Sequence, residues 1–329
     1  MVRQIITKVN DIQGTLHVDR YLTNFSESFI QAPSNFITPV ATTNMPVQNA
    51  SDLYVKYPRG YFWRDLAEVR PLGGRPPQVG YKVESATYKA EEWALEHTID
   101  DRQRANTDAP IRLDENATNL LTQIQLIRQD RIWATKFWTT GVWSNDVVLP
   151  VKWDAANSTP IQDIDEWKEV MAQNTAMMPN TFIMGANVKK TLRNHADVID
   201  RIKYTQTGVA EESLLARLFG VENVRTARSV YNTAQEGGND VFRHIIDPDS
   251  AWLGYIAPSG GLDTPTAIAR WAWTGLIPGA MNQYGGVMTR GRDDRAYTDW
   301  FHNRTAFDMT VVSADLGIFF SDVVGALSN

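Results

Sequence analysis

The stretch LDENATNLLTQIQLIRQDRIWATKFWTTG, residues 113–141, constrains this chain more than any other. Leu113, Ala117, Leu120, Leu121, Ile124, Ile127, Ala134, Phe137 and Trp138 recur at helical spacing, so the pattern predicts one amphipathic helix. Asp114 and Glu115 suit the positive end of its dipole and Lys136 the negative end, and Gly141 offers a stop. At 1.5 Å per residue such a helix is about 40 Å long. A single helix of that length needs a long object to lie on.

The rest of the chain has to supply that object. Its 329 residues suffice for one large domain or two ordinary ones, and 43% hydrophobic with 21% charged residues is a globular composition. A formal net charge of −6 argues against a protein that coats nucleic acid with its whole surface. With no cysteine, disulfides, thiolate nucleophiles and cysteine-based zinc sites are excluded. MVRQIITKVNDIQG makes a poor signal peptide, and no run approaches the roughly 20 apolar residues of a membrane helix. Eleven tryptophans imply either large cores or aromatic anchors at subunit contacts.

Along the chain, residues 1–50 are polar and interrupted by Pro33, Pro39 and Pro46, an arm with little core of its own. Residues 51–101 form a two-limbed excursion that reverses at Gly73, Gly74, Pro76 and Pro77. Val79, Tyr81 and Val83 alternate with polar residues, a strand signal. After the long helix, Asp163 and Glu166 predict a capping box for a helix whose apolar face holds Ile164, Trp167, Val170 and Met171. NTFIMG reads as a buried strand, and ANVKKTLRNHADVIDRIKY as helical with Val188, Leu192 and Ile202 as anchors. AEESLLARLFG is a helix closed by Gly220, and ENVRTARSVYN, SAWLGYIAP and AIARWAWTG are strands. The last segment, DRAYTDWFHNRTAFDMTVVSADLGIFFSDVVG, returns to strands expected to pack with the long helix rather than with the middle domain. No internal repeat of fixed period occurs.

Three clusters invite a chemical reading. His195, Asp197 and Asp200 are close in sequence, but facing neighbours on a helix lie three or four apart, so the group is splayed around a helical corner. Glu96, His97, Asp100 and Asp101 offer nitrogen and oxygen ligands, yet no second histidine stands at ligand spacing and HExxH is absent. Arg290, Arg292 and Arg295 could meet a phosphate, but Asp293, Asp294 and Asp299 cancel their charge, so ion pairing within or between chains is expected. PSGGLDTP and EGGND match neither a Walker loop nor GxGxxG, no GxSxG elbow exists, and the five histidines are dispersed. No catalytic, cofactor-binding or metal site is expected, and no cofactor.

The order of the pieces is polar arm, excursion, long helix, compact α/β region, returning strands. With MMPNTFIMGANVKKTLRNHADVIDRIKYTQTG, LLARLFGVENVRTARSVYNTA, YKAEEWALEHTIDDR and DWFHNRTAFDMTVVSADLGIFFSDVV, it resembles the major capsid proteins of tailed bacteriophages with the HK97 fold. The resemblance implies an α+β chain with an N-terminal arm (1–50), an extended loop (51–101), a peripheral domain (102–159 and 291–329) with a spine helix (112–141), and an axial α/β domain (160–290). It implies a non-enzymatic virion protein, assembled in the bacterial cytoplasm. Pentamers and hexamers would form an icosahedral shell around double-stranded DNA without sequence-specific binding or membrane attachment. Scaffold, portal and decoration proteins are expected partners. Tyr61, Phe62, Trp63, Arg75, Tyr81, Tyr88, Arg290, Arg292 and Arg295 are the candidate inter-subunit contacts. Some capsids of this fold crosslink a loop lysine to a neighbour's asparagine. Lys56, Lys82 and Lys89 lie in the excursion and Asn303 in the returning strands, but they do not match that motif. The alternatives are an encapsulin-like compartment shell of the same fold, an α/β enzyme using His195 or His97, and a tail or decoration protein.

Overall fold

The computed structural model describes residues 30–57, 59–70, 72–107, 112–202, 211–261, 264–281 and 284–325. Most of the expected arm, residues 1–29, lies outside them, as does the side chain of Ile202. The chain opens with α1 (Thr38–Ala41), β1 (Thr43–Val47), β2 (Ser51–Lys56), α2 (Arg59–Phe62), β3 (Glu84–Lys89), β4 (Glu91–Asp100) and α3 (Asp101–Asn106). The long helix α4 (Leu113–Phe137) leads to β5 (Asn145–Val148), α5 (Pro160–Thr175), β6 (Thr181–Met184), α6 (Ala186–Asn194), α7 (Ala196–Ile202) and α8 (Glu212–Phe219). Then come β7 (Asn223–Thr226), β8 (Val230–Asn232), β9 (Phe242–His244), β10 (Ala251–Gly254), β11 (Ile268–Trp273), β12 (Val287–Asp293), β13 (Thr298–Val311) and β14 (Gly317–Ser321).

Two five-stranded sheets organise these elements. In the first, β1 runs parallel to β11, which is antiparallel to the 14-residue β13. Residues 298–304 of β13 pair with both β12 and β4, so those two strands take opposite edges. The second has the order β5-β14-β10-β6-β7. It is covered on both faces, which is why its strands read as unbroken apolar runs. Alternate residues divide between two cores. Phe182, Met184, Leu253, Ile318 and Phe320 face helices α5 to α8. Ile183, Trp252 and Phe319 face Trp133 and Phe137 of α4 and Trp138 just beyond it, together with Phe307 and Met309 of β13. Trp133, Trp138, Trp143, Trp153, Trp252 and Trp271 are buried, so most of the tryptophans are core.

Several expectations change. The long helix ends at Phe137, and Gly141 sits beyond it in a turn at φ +86°. Its buried side is not its most apolar one. Gln125, Gln129 and Asp130 are buried while Leu120 and Ile124 are exposed, because the helix lies across backbone that needs partners. Gln125 donates to the Trp93 carbonyl and Gln129 to that of Tyr284. Helix α5 starts at Pro160 without a side-chain cap, and Asp163 instead accepts from the Trp153 indole. Residues 79–83 are not strand; pairing in that limb begins at Glu84. ENVRTARSVYN holds two strands, β7 and β8. The returning segment divides: β13 packs on α4, but β14 joins the middle sheet between β10 and β5.

Candidate subunit interface

The excursion begins as a two-stranded ribbon, β2 paired antiparallel with β3. Side chains alternate across it. One face is pinned to the first sheet: Tyr54 and Tyr88 each lie 4.8 Å from the Trp271 ring, Tyr88 stacked within 11° of parallel. The other face carries Leu53 and Val55, and it has no cover; Leu53 is 65% exposed. Beyond the ribbon, the rings of Tyr57, Phe62 and Tyr81 pack on one another, with centroids 5.3–6.1 Å apart. Trp63, Leu66, Val69, Leu72 and Val79 stand in solvent, Val69 at 96% exposure. Among the described residues, none between 57 and 83 belongs to a buried cluster. Apolar surface this extensive on one element is uncommon on a protein that stays monomeric.

Among the sequence-derived contact residues, Phe62, Trp63, Arg75 and Tyr81 are exposed on this excursion. The side chain of Tyr61 lies outside the described residues. Tyr88 departs from expectation: at 6% exposure it is spent inside the chain, because ribbon register puts it on the pinned face. The three arginines also separate. Arg292 grips Asp101 through two hydrogen bonds of 3.0 and 2.6 Å, and reaches Asp294 and Asp299 as well. Those hydrogen bonds hold the Asp101 carboxyl below the usual carboxylate range. Arg104 bridges Asp299 to Asp114 at 2.8 Å each, tying the β12–β13 hairpin to α3 and α4. Arg292 is therefore an internal clamp. Arg290 lines an open depression with Asp114, Glu115 and Phe301, and Arg295 is exposed beside Trp300 and His302.

The residues that invited a catalytic reading hold structural posts. His195 sits at the break between α6 and α7, with Nε2 2.9 Å from Ser158 Oγ. The backbone N–H of Asp197 donates to Nδ1, so the neutral ring carries its proton on Nε2 and donates to the serine. That polarity is opposite to what a general base for Ser158 requires. Glu96 pairs with His302 at 2.6 Å, Asp100 caps α3 in a reciprocal box with Gln103, and Asp101 holds Arg292. In open α/β sheets ligands sit at the carboxyl ends of parallel strands. Here the ends of β6 and β7 are filled by the chain itself. The Pro248 carbonyl accepts from Asn187 and Val188 at the start of α6, and a Cβ on Gly185 would collide with it. Glu212 takes Thr226, Lys189 and Arg225; burial pushes its carboxyl up, but these partners outweigh that and hold it low. Among the described residues no group of three or more histidines and carboxylates is placed to hold a metal ion.

Two buried groups escaped the sequence reading. Asp130 of α4 accepts from the N–H groups of Ile37 and Thr38, from Thr38 Oγ1 at 2.6 Å and from Ser229 Oγ at 2.8 Å. Arg270 of β11 lies between the rings of Tyr284 and Phe307 and donates to Asn44 and to the Ala280 carbonyl. Burial brings its guanidinium down to about 10. The available signal was a polar interruption: Gln125, Gln129 and Asp130 on one helical face, and an arginine inside AIARWAWTG.

This mixed α/β architecture is the HK97-like capsid fold. A phage-related protein from Bordetella bronchiseptica superposes with a TM-score of 0.68 at 18% identity, covering 89% of this chain and 94% of its own. The capsid protein of cyanophage P-SCSP1u does so at 0.62 and 12% identity, covering 93% of each chain. In sequence, the phage major capsid protein E family matches residues 141–272. The major capsid protein of Burkholderia phage BcepMu is 26% identical over 203 residues, covering 54% of this chain and 66% of the relative. Part of the chain is thus similar in sequence to phage major capsid proteins.

Proposed function

We propose that this chain is the major capsid protein of a tailed bacteriophage, and that its copies close into the icosahedral head shell around packaged double-stranded DNA. The observation that carries the reading is the sequence match to the BcepMu major capsid protein, on a chain whose fold is that of capsid subunits. In this reading residues 1–50 are the arm and 51–101 the extended loop. Residues 102–159 with 291–329 form the peripheral domain, and 160–290 the axial domain around five-fold and six-fold axes. The exposed ribbon face and the aromatic group at Phe62, Trp63 and Tyr81 seat on a neighbouring subunit, with Arg75, Arg290 and Arg295 at the rim. Scaffold, portal and decoration proteins act on the assembled shell in the host cytoplasm, and no reaction is catalysed. Mild negative charge suits a container that must not adhere to its contents. The direct test is negative-stain imaging of the purified chain, alone and with its phage's scaffold. Closed shells or capsomers are expected; a monodisperse monomer across a wide concentration range in both samples rejects the reading.

A further inference from the structure

The outer face of α4 changes character along its length. At its start Arg112 pairs with Glu115. Between Asn116 and Phe137 the helix carries one carboxylate, Asp130, and that one is buried. The charged groups exposed there are Arg128, Arg131 and Lys136. Lys136 is held by Asp308 at 2.9 Å. The two arginines are held by rings instead. The Arg128 guanidinium lies 4.3 Å from the ring centroid of Trp93 in β4, and that of Arg131 lies 4.6 Å from the centroid of Tyr231 in β8.

The β8–β9 ladder extends the same charge. Tyr231 is registered opposite Arg243, and opposed residues of an antiparallel pair share a face. Arg243 therefore stands on the side of the hairpin that Arg131 covers. It is exposed, as is Arg228, which precedes the Ser229 that bonds Asp130. Among the described residues none of these four arginines forms an ion pair with a carboxylate, whereas Arg104, Arg112, Arg292 and Arg304 all do. A guanidinium laid on a ring has its plane fixed and its N–H edge free, which is the edge that meets phosphate oxygens.

We propose that Arg128, Arg131, Arg228 and Arg243 form a patch that meets the phosphate backbone of duplex DNA, and that this side of the subunit is the one turned toward the packaged genome. The choice of DNA among polyanions rests on the capsid reading. Phosphate contacts of this kind position a duplex and read no sequence. The net charge of −6 keeps the attachment weak and easily released by salt.

The test is fluorescence anisotropy of a labelled DNA duplex with unassembled full-length chain, over a series of salt concentrations. Four phosphate contacts predict that log affinity falls against log salt with a slope of about −3.6. Arg128→Gln, Arg131→Gln and Arg243→Gln together should flatten that slope by about 3 and weaken binding about tenfold or more at low salt. Arg193→Gln, Arg217→Gln and Arg295→Gln, which remove the same charge from other exposed positions, should leave the slope unchanged. Equal losses in both triple variants would reduce the effect to net charge and reject the patch. Arg243→Gln alone, at an exposed hairpin position that the folded core does not need, should lower the slope by about 1, and an unchanged slope also rejects it. An oligoglutamate with as many charges as the duplex should compete about tenfold more weakly than unlabelled duplex; equal competition would assign the patch to an acidic protein segment and overturn the proposal. Closed shells given duplex from outside should bind it no better than the arginine-free variant, and binding equal to that of free chain would turn the patch outward, against the proposal. The anisotropy needs no shells, so its failure is separable from failure of the shell-forming role.

Discussion

Asp130 holds three segments that are distant in sequence: α1 through Ile37 and Thr38, α4 itself, and the turn at Ser229 before β8. Its partners are mostly the first N–H groups of α1, which have no acceptor inside a helix. Removing the carboxylate with Asp130→Ala leaves those donors buried and unpaired, and should cost about 3 kcal/mol in urea unfolding. Asp130→Asn keeps one acceptor oxygen and should cost less. The two also differ in pH response. Burial pushes the Asp130 carboxyl above its ordinary value of 3.8, with the hydrogen bonds from Thr38, Ser229 and Ile37 pulling back. A raised carboxyl stabilises the fold when protonated; that contribution is complete below 3.8 and is lost as pH rises through the folded-state value. Asp130→Asn cannot ionise, so its stability relative to the parent should improve from about pH 4 upward. A difference that stays flat over that range contradicts the assignment. Gly286 gives a second test. It has φ +85°, and a Cβ there would collide with Oδ1 of Asn303, which is fully buried and cannot swing aside. Gly286→Ala should therefore cost at least about 2 kcal/mol by thermal or urea unfolding. The same burial removes Asn303 from any role as an accessible crosslinking partner.

Among the elements, the β2–β3 ribbon is attached by one face and its base. Its pinned face rests on the Tyr54–Trp271–Tyr88 group, and Ala90 N–H to the Ala50 carbonyl closes its base. Tyr88→Ala should destabilise the chain by about 2–4 kcal/mol and raise amide exchange in β2 and β3 more than in β11. Equal rises in all three strands would mean that the ribbon is not a separately attached unit. Such attachments also explain how far the sequence could be read. The length and place of α4 were visible because apolar residues recur at helical spacing over 25 residues. Which side of it is buried was not visible, because Gln125, Gln129 and Asp130 are drawn inward by Trp93, Tyr284 and Thr38, none of them near in sequence. The strands of the middle sheet were legible as short apolar runs because both of their faces are covered. That β14 belongs with them was not, since an apolar run does not name its partner. The excursion was legible as two limbs reversing at Gly73, Gly74, Pro76 and Pro77, and its aromatic contact candidates Phe62, Trp63 and Tyr81 are exposed. Tyr88 is buried instead, and its burial follows from register with β2, which alternation alone does not fix.

At the scale of the whole molecule, a folded core and an exposed apolar excursion are separable parts of one chain. The buried clusters join both sheets, α4 and α5 to α8, and they draw nothing from the described residues of 57–83. Replacing the tip, Pro71 to Gln78, with a short Gly-Ser turn removes Leu72 and Arg75 while leaving Tyr54, Tyr88 and Trp271 in place. The trimmed chain should keep its circular dichroism and a cooperative melt within a few degrees of the parent, because no core contact is lost. Assembly should respond otherwise. If the excursion bridges subunits, a shortened reach leaves Phe62, Trp63 and Tyr81 short of their seat, and light scattering and electron microscopy should find capsomers or misclosed sheets in place of closed shells. Each alternative leaves its own mark. Loss of the cooperative melt would place the excursion in the subunit's own core, against the burial pattern. Normal shells from the trimmed chain would move the bridge to the ribbon face at Leu53 and Val55, which the trimming does not touch. That outcome can be separated in turn by Leu53→Asp with Val55→Asp, two exposed positions where charge costs the subunit little and a dry contact between subunits a great deal.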